Sequence, residues 1–130
     1  MAWFVKEEGE PWAWSSAEVW EPDQMLDYLE EVGEMYLRVV VEEFRLYPWM
    51  AQEQSFSAME TPEVIGCIKR IFRKAGWLER LVFQPASIKK PTAARCRAAG
   101  KMLPSNTGKR IHAWDASLHG WHYIMRNITC

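Results

Sequence analysis

Residues 61–77 of this 130-residue chain, TPEVIGCIKRIFRKAGW, constrain the fold more than any other stretch, because they mark the start, the face and the stop of one helix. Thr61 suits an N-cap, Pro62 suits the first helical position, where its missing N–H costs nothing, and Glu63 complements the positive helix end. Val64, Ile68, Ile71, Phe72 and Ala75 recur at helical spacing as one buried stripe, while Gly66, Lys69, Arg70, Arg73 and Lys74 fall on the remaining surface. Gly76 suits a left-handed cap, after which Trp77, Leu78, Leu81, Val82 and Phe83 read as an apolar strand. The expectation is a helix over 62–76 with one packed face and one cationic face.

The formal net charge of −1 conceals a strong polarity along the chain. Residues 1–63 hold Lys6, Arg38 and Arg45 against 15 acidic side chains; residues 64–130 hold 13 Lys and Arg against only Glu79 and Asp115. A basic half of this density is a candidate footprint for a polyanion, and an acidic half is repelled from one. The plainer alternative is that the two halves neutralise each other across an internal or subunit contact.

Length and a 48% hydrophobic composition fit one domain over 1–130, divided into a Trp-rich arm (1–22), a core (23–115) and a C-terminal cover (116–130). No apolar run reaches the length of a membrane span and no export signal opens the chain, so a cytoplasmic location without membrane association is expected. The odd, widely spaced cysteines Cys67, Cys96 and Cys130 argue against a disulfide framework or a four-thiolate zinc site; Cys67 reads as a small core or near-core residue.

In chain order, the arm lacks a sustained helical or strand period, and its aromatics Trp3, Phe4, Trp12, Trp14 and Trp20 read as core cover or as partner anchors. Residues 23–47 are the longest helix candidate: Leu26, Leu29, Gly33, Tyr36 or Leu37, Val40 and Phe44 recur at three and four residues, with Glu30, Glu31, Glu34, Glu42 and Glu43 elsewhere. The Val39, Val40, Val41 run lowers helix propensity there, and Pro48 closes the element. Residues 49–60 read as a short helix and turn. Residues 84–108, with Pro85, Pro91, Pro104 and Gly100, read as a basic loop; 109–114, KRIHAW, as a strand; and 118–128 as a short helix or extended cover.

Helices followed by IGCIKRIFRKAGWLERL, a basic loop and GKRIHAW resemble a winged helix-turn-helix domain over about residues 36–115, similar to small winged-helix proteins of bacteriophages. The resemblance implies an α+β, mainly helical fold in which helix 62–76 is the recognition helix and 84–110 the wing. It also implies double-stranded DNA as partner and a role in transcription or replication control. A helix fits the major groove and a cationic hairpin grips phosphates. On that reading Lys69, Arg70, Arg73 and Lys74 contact bases or phosphates, and Lys89, Lys90, Arg95, Arg97, Lys101, Lys109 and Arg110 grip the backbone. A homodimer through the long helix or the arm would suit such a reader.

The alternative is a small inhibitor or adaptor, resembling phage anti-CRISPR proteins, that engages a host or phage protein through Glu30, Glu34 and Glu42 or through Trp12 and Trp14. Winged helices bind proteins as well as DNA, so fold alone does not decide. Catalytic patterns are poor. HAWDASLHGWH places His112, His119 and His122 near Asp115, but without a CxxC pair or an HExxH helix it reads as packed histidines rather than a metal site. Neither an activated nucleophile nor a phosphate loop is legible. A non-enzyme with no cofactor is expected.

Overall fold

The computed structural model describes residues 1–43 and 60–127. Among them are four α-helices, α1 (Pro22–Val32), α2 (Glu60–Ala75), α3 (Lys89–Ala98) and α4 (Ile111–Asn127). Four short strands, β1 (Ala2–Val5), β2 (Ala13–Ala17), β3 (Val39–Glu42) and β4 (Leu81–Gln84), pair as β1–β2 and β3–β4, so the architecture is α+β and mainly helical. These elements group into two compact units, Glu21–Phe83 and the joined segments Met1–Trp20 and Gln84–Cys130.

In the Glu21–Phe83 unit, Pro22 opens α1 behind an extended Glu21, and Asp23 sits in its first turn, where a carboxylate meets the positive helix end. The spacing predicts a helix over 23–47, but α1 stops at Val32. Gly33 and Glu34 turn with Met35 into a 3-10 segment, and Val39–Glu42 is strand β3. Two local forces win. Three consecutive β-branched valines favour extended backbone, and their alternation sends Val39 and Val41 into the core. Gly33 is also a point of close approach: a Cβ there would stand 3.2 Å from the Trp77 ring. Residues 44–59, including most of the short helix and turn expected over 49–60, lie outside the described residues.

Helix α2 covers Glu60–Ala75 among the described residues, which places Thr61 and Pro62 within the helix and Thr61 not ahead of it as a cap. Its stripe is as expected at Val64, Ile68, Ile71 and Phe72, which pack with Leu29, Met25, Leu26, Val39, Val41, Trp77 and Leu81. Phe72 is fully buried, contributing about 3 kcal/mol of transfer free energy by area. Ala75 instead faces solvent, and so does Cys67, whose position on the helix lies about 100° from Ile68 and off the stripe. Gly76 adopts φ 77° and completes a two-bond cap. Its N–H donates to Arg73 O at 3.2 Å and the Trp77 N–H to Phe72 O at 2.8 Å, while the Phe72 and Trp77 rings meet edge-on. The apolar strand expected from Trp77 is shorter: Leu78–Arg80 is a 3-10 turn, and only Leu81 onward is β4.

The second unit is built from both ends of the chain. The arm expected to be irregular is an antiparallel hairpin, with Trp3 opposite Ser16 and Phe4 opposite Trp14. Ser15 is therefore the extra residue of a bulge, which breaks the two-residue alternation by which a strand is recognised in sequence. The hairpin lies on α4 so closely that a Cβ at Gly120 would come within 2.1 Å of the Phe4 ring. Trp121 meets the same ring in a T-shaped contact at 5.0 Å.

The wing expected over 84–110 is overturned in its core: Lys89–Ala98 is α3, and the strand expected over 109–114 is a 3-10 turn, Gly108–Arg110, leading into α4. Pro91 falls in the first turn of α3, where proline is tolerated, and TAARCRA is composed largely of good helix formers. A second glycine cap ends it, with Gly100 at φ 65° and the Lys101 N–H donating to Cys96 O at 2.9 Å. In α4, Ala113, Ser117, Trp121 and Ile124 recur at helical spacing through the span read as strand and tail, and all are buried. Ala93, Cys96, Leu118, Trp121 and Ile124 form the core, with Phe4, Trp12, Trp14, Leu103, Trp114 and Met125 packed around it.

Candidate functional site

The outer face of α2 is the densest run of exposed cations on one described element. Lys69, Arg70, Arg73 and Lys74 are all exposed, and they form two adjacent rows, 69–73 and 70–74, four residues apart along the helix. At 1.5 Å per residue the four span about 7.5 Å of helix axis. Lys69 is partly engaged, its ammonium lying 5.0 Å from the centre of the Phe83 ring. Among the described residues none of the four forms a salt bridge with a carboxylate. Arg73 and Lys74 also complement the negative end of the helix, so part of their placement serves α2 itself.

Gly66 lies one turn before Arg70 on the same side and is exposed, with no described atom within 4 Å of where its Cβ would be. A solvent-facing glycine in a helix interior costs about 0.5–1 kcal/mol relative to alanine, and no packing contact here explains it.

The cations expected on the wing sit instead on and around α3, in the other unit. Lys90, Arg95, Arg97 and Arg110 are exposed, and Lys109 lies in the turn before α4. Lys89 is half-buried and pairs with Asp115 at 3.2 Å, and the Lys101 ammonium rests 5.1 Å from the centre of the Trp121 ring. Of these, Lys89, Lys90, Arg95 and Arg97 belong to α3 rather than to a hairpin, and Lys89, Arg95 and Lys101 are already engaged.

One group there escapes sequence reading. His122 is buried on α4, and its Nδ1 accepts from Arg95 Nη2 and from the Thr92 hydroxyl, each at 3.3 Å. Because a guanidinium only donates, this nitrogen carries no proton and the neutral ring bears it on Nε2. Burial first, then the positive charges of Arg95 and Arg126 and the neighbouring His119 imidazole, hold the imidazole pKa below its ordinary value. The signal was present in the sequence as Thr92/Arg95 and His122/Arg126 at helical spacing, but it becomes legible only once both segments are known to be helices.

The residues expected for a protein-binding alternative are dispersed. Glu30 and Glu34 are exposed, at the end of α1 and just after it, and Glu42 is half-buried on β3. Trp12 and Trp14 are packed around the core rather than presented as anchors, and the Trp14 indole donates to Ser117 Oγ at 2.9 Å. His119 is buried, with Nδ1 donating to Gln84 Oε1 at 2.9 Å. Among the described residues no group of three His, Cys, Asp or Glu side chains is placed to hold a metal ion, and no helix is long and apolar enough to cross a membrane. Comparison of the chain with protein-family models, with curated proteins and with solved structures finds no match.

Proposed function

We propose that this protein binds double-stranded DNA through the outer face of α2, with Arg70, Arg73 and Lys74 as the principal contacts and Lys69 at the edge. The observation that carries the reading is a helix held on one side by Ile68 and Phe72 while its opposite side exposes guanidinium and ammonium groups that meet no carboxylate among the described residues. A helix of this diameter enters the major groove, where arginine pairs with guanine edges or with phosphates. Exposed Gly66 adds a point at which backbone approaches a partner surface without an intervening side chain. The acidic residues Asp23, Asp27, Glu30 and Glu31 on the exposed side of α1 repel a polyanion and orient its approach toward α2.

In this reading α2 takes the place of a winged-helix recognition helix and β3–β4 that of its strand pair, while the chain after β4 forms helix α3 rather than a wing. A role in transcription or replication control follows from that resemblance. The test is a salt titration of binding to random duplex DNA. Each neutralised phosphate contributes about −0.9 to the slope of log affinity against log salt, so three or four contacts give roughly −3. The slope should flatten in Arg70→Glu/Arg73→Glu, and Gly66→Ala should weaken binding while stabilising the helix by about 0.5–1 kcal/mol. Binding unchanged by the double reversal sinks the proposal.

A second reading rests on a different observation: just past the acidic α1, Met35 and Leu37 are 76% and 70% exposed. Acidic and apolar groups together suit a basic protein partner, as an inhibitor or adaptor would require. Charge reversal at Glu30 and Glu34 separates the two, since it should leave DNA binding intact or strengthen it.

A further inference from the structure

Helices α1 and α3 present outward sides of opposite sign. In α1, Met25, Leu26 and Leu29 turn into the core, and the exposed side carries Asp23, Asp27, Glu30 and Glu31 without a cation anywhere on the helix. In α3, Thr92, Ala93 and Cys96 are buried, and the exposed side carries Lys90, Arg95 and Arg97 without a carboxylate anywhere on the helix. Among the described residues none of Asp23, Asp27, Glu30, Glu31, Lys90 and Arg97 forms a salt bridge.

The order of side chains around α3 adds shape to charge. At about 100° per residue, Ala94 and Ala98 run along the middle of the exposed side, opposite the buried residues. Lys90 and Arg97 flank them along one edge, and Arg95, donating to His122, lies along the other. A row of small side chains between cationic edges lets another helix lie close, with the charged edges pairing along the seam. The cationic side of α2 lacks such a row, because Arg70 and Arg73 stand beside Gly66 in its middle, where long side chains hold a helix off. On α1, Asp27 is central, with Asp23 and Glu30 along one edge and Glu31 along the other. Each of the two helices is also followed by an exposed methionine, Met35 after α1 and Met102 after α3, at 76% and 63% exposure, so both charged sides lead into apolar surface.

We infer that this protein self-associates, the acidic side of α1 in one copy docking on the alanine row and cationic edges of α3 in a second copy. Charge complementarity selects the occupant. The α3 side attracts an acidic helix, and α1 is an acidic helix that every copy brings with it at equal concentration. Opposed carboxylates and cations fix which sides meet, while Met35, Met102 and the alanines supply apolar area that solvated charges alone lack. The association is independent of the DNA contact proposed for α2.

The experiment is sedimentation equilibrium of the full chain, without DNA, from micromolar to millimolar concentration at low salt. A species heavier than one chain should form, and a single chain at every concentration overturns the proposal. Raising salt from about 0.05 M to about 0.5 M, which shortens the screening length to roughly 4 Å, should weaken the association about tenfold. Lys90→Glu/Arg97→Glu and Asp27→Lys/Glu30→Lys should each abolish it, because each sets like charge against like. Mixed in equal amounts, the two variants should associate again. The acidic α1 of the first then meets the basic α3 of the second, and the reversed α3 of the first meets the reversed α1 of the second. That rescue requires both variants to be folded; a mixture that stays dissociated while each variant keeps the parent's circular dichroism overturns the proposal. Ala94→Gln/Ala98→Gln keeps every charge and suits an exposed helix, yet fills the row, and should weaken association about tenfold. Unchanged association in that variant would mean diffuse attraction rather than docking. Arg70→Glu/Arg73→Glu should leave association intact, and a loss equal to that of Lys90→Glu/Arg97→Glu would move the contact to α2 and overturn the assignment to α3.

Discussion

Helices α2 and α3 close with the same glycine cap and carry cations in their last turns, yet α2 rests on Ile68 and Phe72 whereas α3 rests on Thr92, Ala93 and Cys96. Large apolar side chains fill the buried side of α2, and its cations project into solvent from the other side. Small side chains let α3 lie close against α4, where Lys89 finds Asp115 and Arg95 finds His122. Similar charge therefore has two different uses. On α2 it faces solvent, as the proposed DNA contact requires, and on α3 it is partly committed, with Arg95 donating to His122.

The sharpest way to break this contrast is to remove its cause. Phe72→Ala should destabilise the protein by about 3–5 kcal/mol in denaturant unfolding, because it empties the centre of the cluster around α2. Cys96→Ala, equally buried, should cost only about 1 kcal/mol, since little volume is lost. Equal costs would mean that the two cores do not differ as described. Next in size is Gly120→Ala, which forces a methyl group into the Phe4 ring and should cost about 1–3 kcal/mol by overpacking. Pairing it with Phe4→Leu should recover part of that loss if the hairpin is where the strain falls.

The smallest expected effect is in pH. The pKa of His122 is lowered by folding from an ordinary value of 6.5, so the unfolded chain binds the proton more readily. Its contribution is therefore fully present above about pH 6.5 and is lost as pH falls toward the folded value. Stability measured between pH 7 and pH 5 should decline less in His122→Gln than in the parent, and an identical decline would remove His122 as the origin.

The same contrast explains what sequence could disclose. Helix α2, its stripe and its Gly76 cap were legible because Val64, Ile68, Ile71 and Phe72 are large enough to print a period. Helix α3 was hidden because Ala93 and Cys96 carry little hydropathy contrast and because Pro91 suggests a loop until its place in the first turn is known. The hairpin was masked by the Ser15 bulge, which shifts its alternation by one. In residues 23–47 a helical recurrence continued past Gly33, but the β-branched Val39–Val41 run responded to extended geometry rather than to spacing. The cationic residues of α2 were readable as a group, since one helix holds them all. The Arg95–His122 pair was not, because it depends on two segments 27 residues apart becoming packed helices.

The hairpin on α4 also has a consequence for the order of events during synthesis. Residues Glu21–Phe83 leave the ribosome as an uninterrupted stretch that contains the described partners of its own core, so that unit is free to fold early. Met1–Trp20 emerges before that unit but must wait, its Phe4 and Trp14 without the surface they cover, until Gly120 and Trp121 have been translated. A segment made before Glu21–Phe83 thus settles after it. During that interval its tryptophans are the groups most in need of protection from other chains.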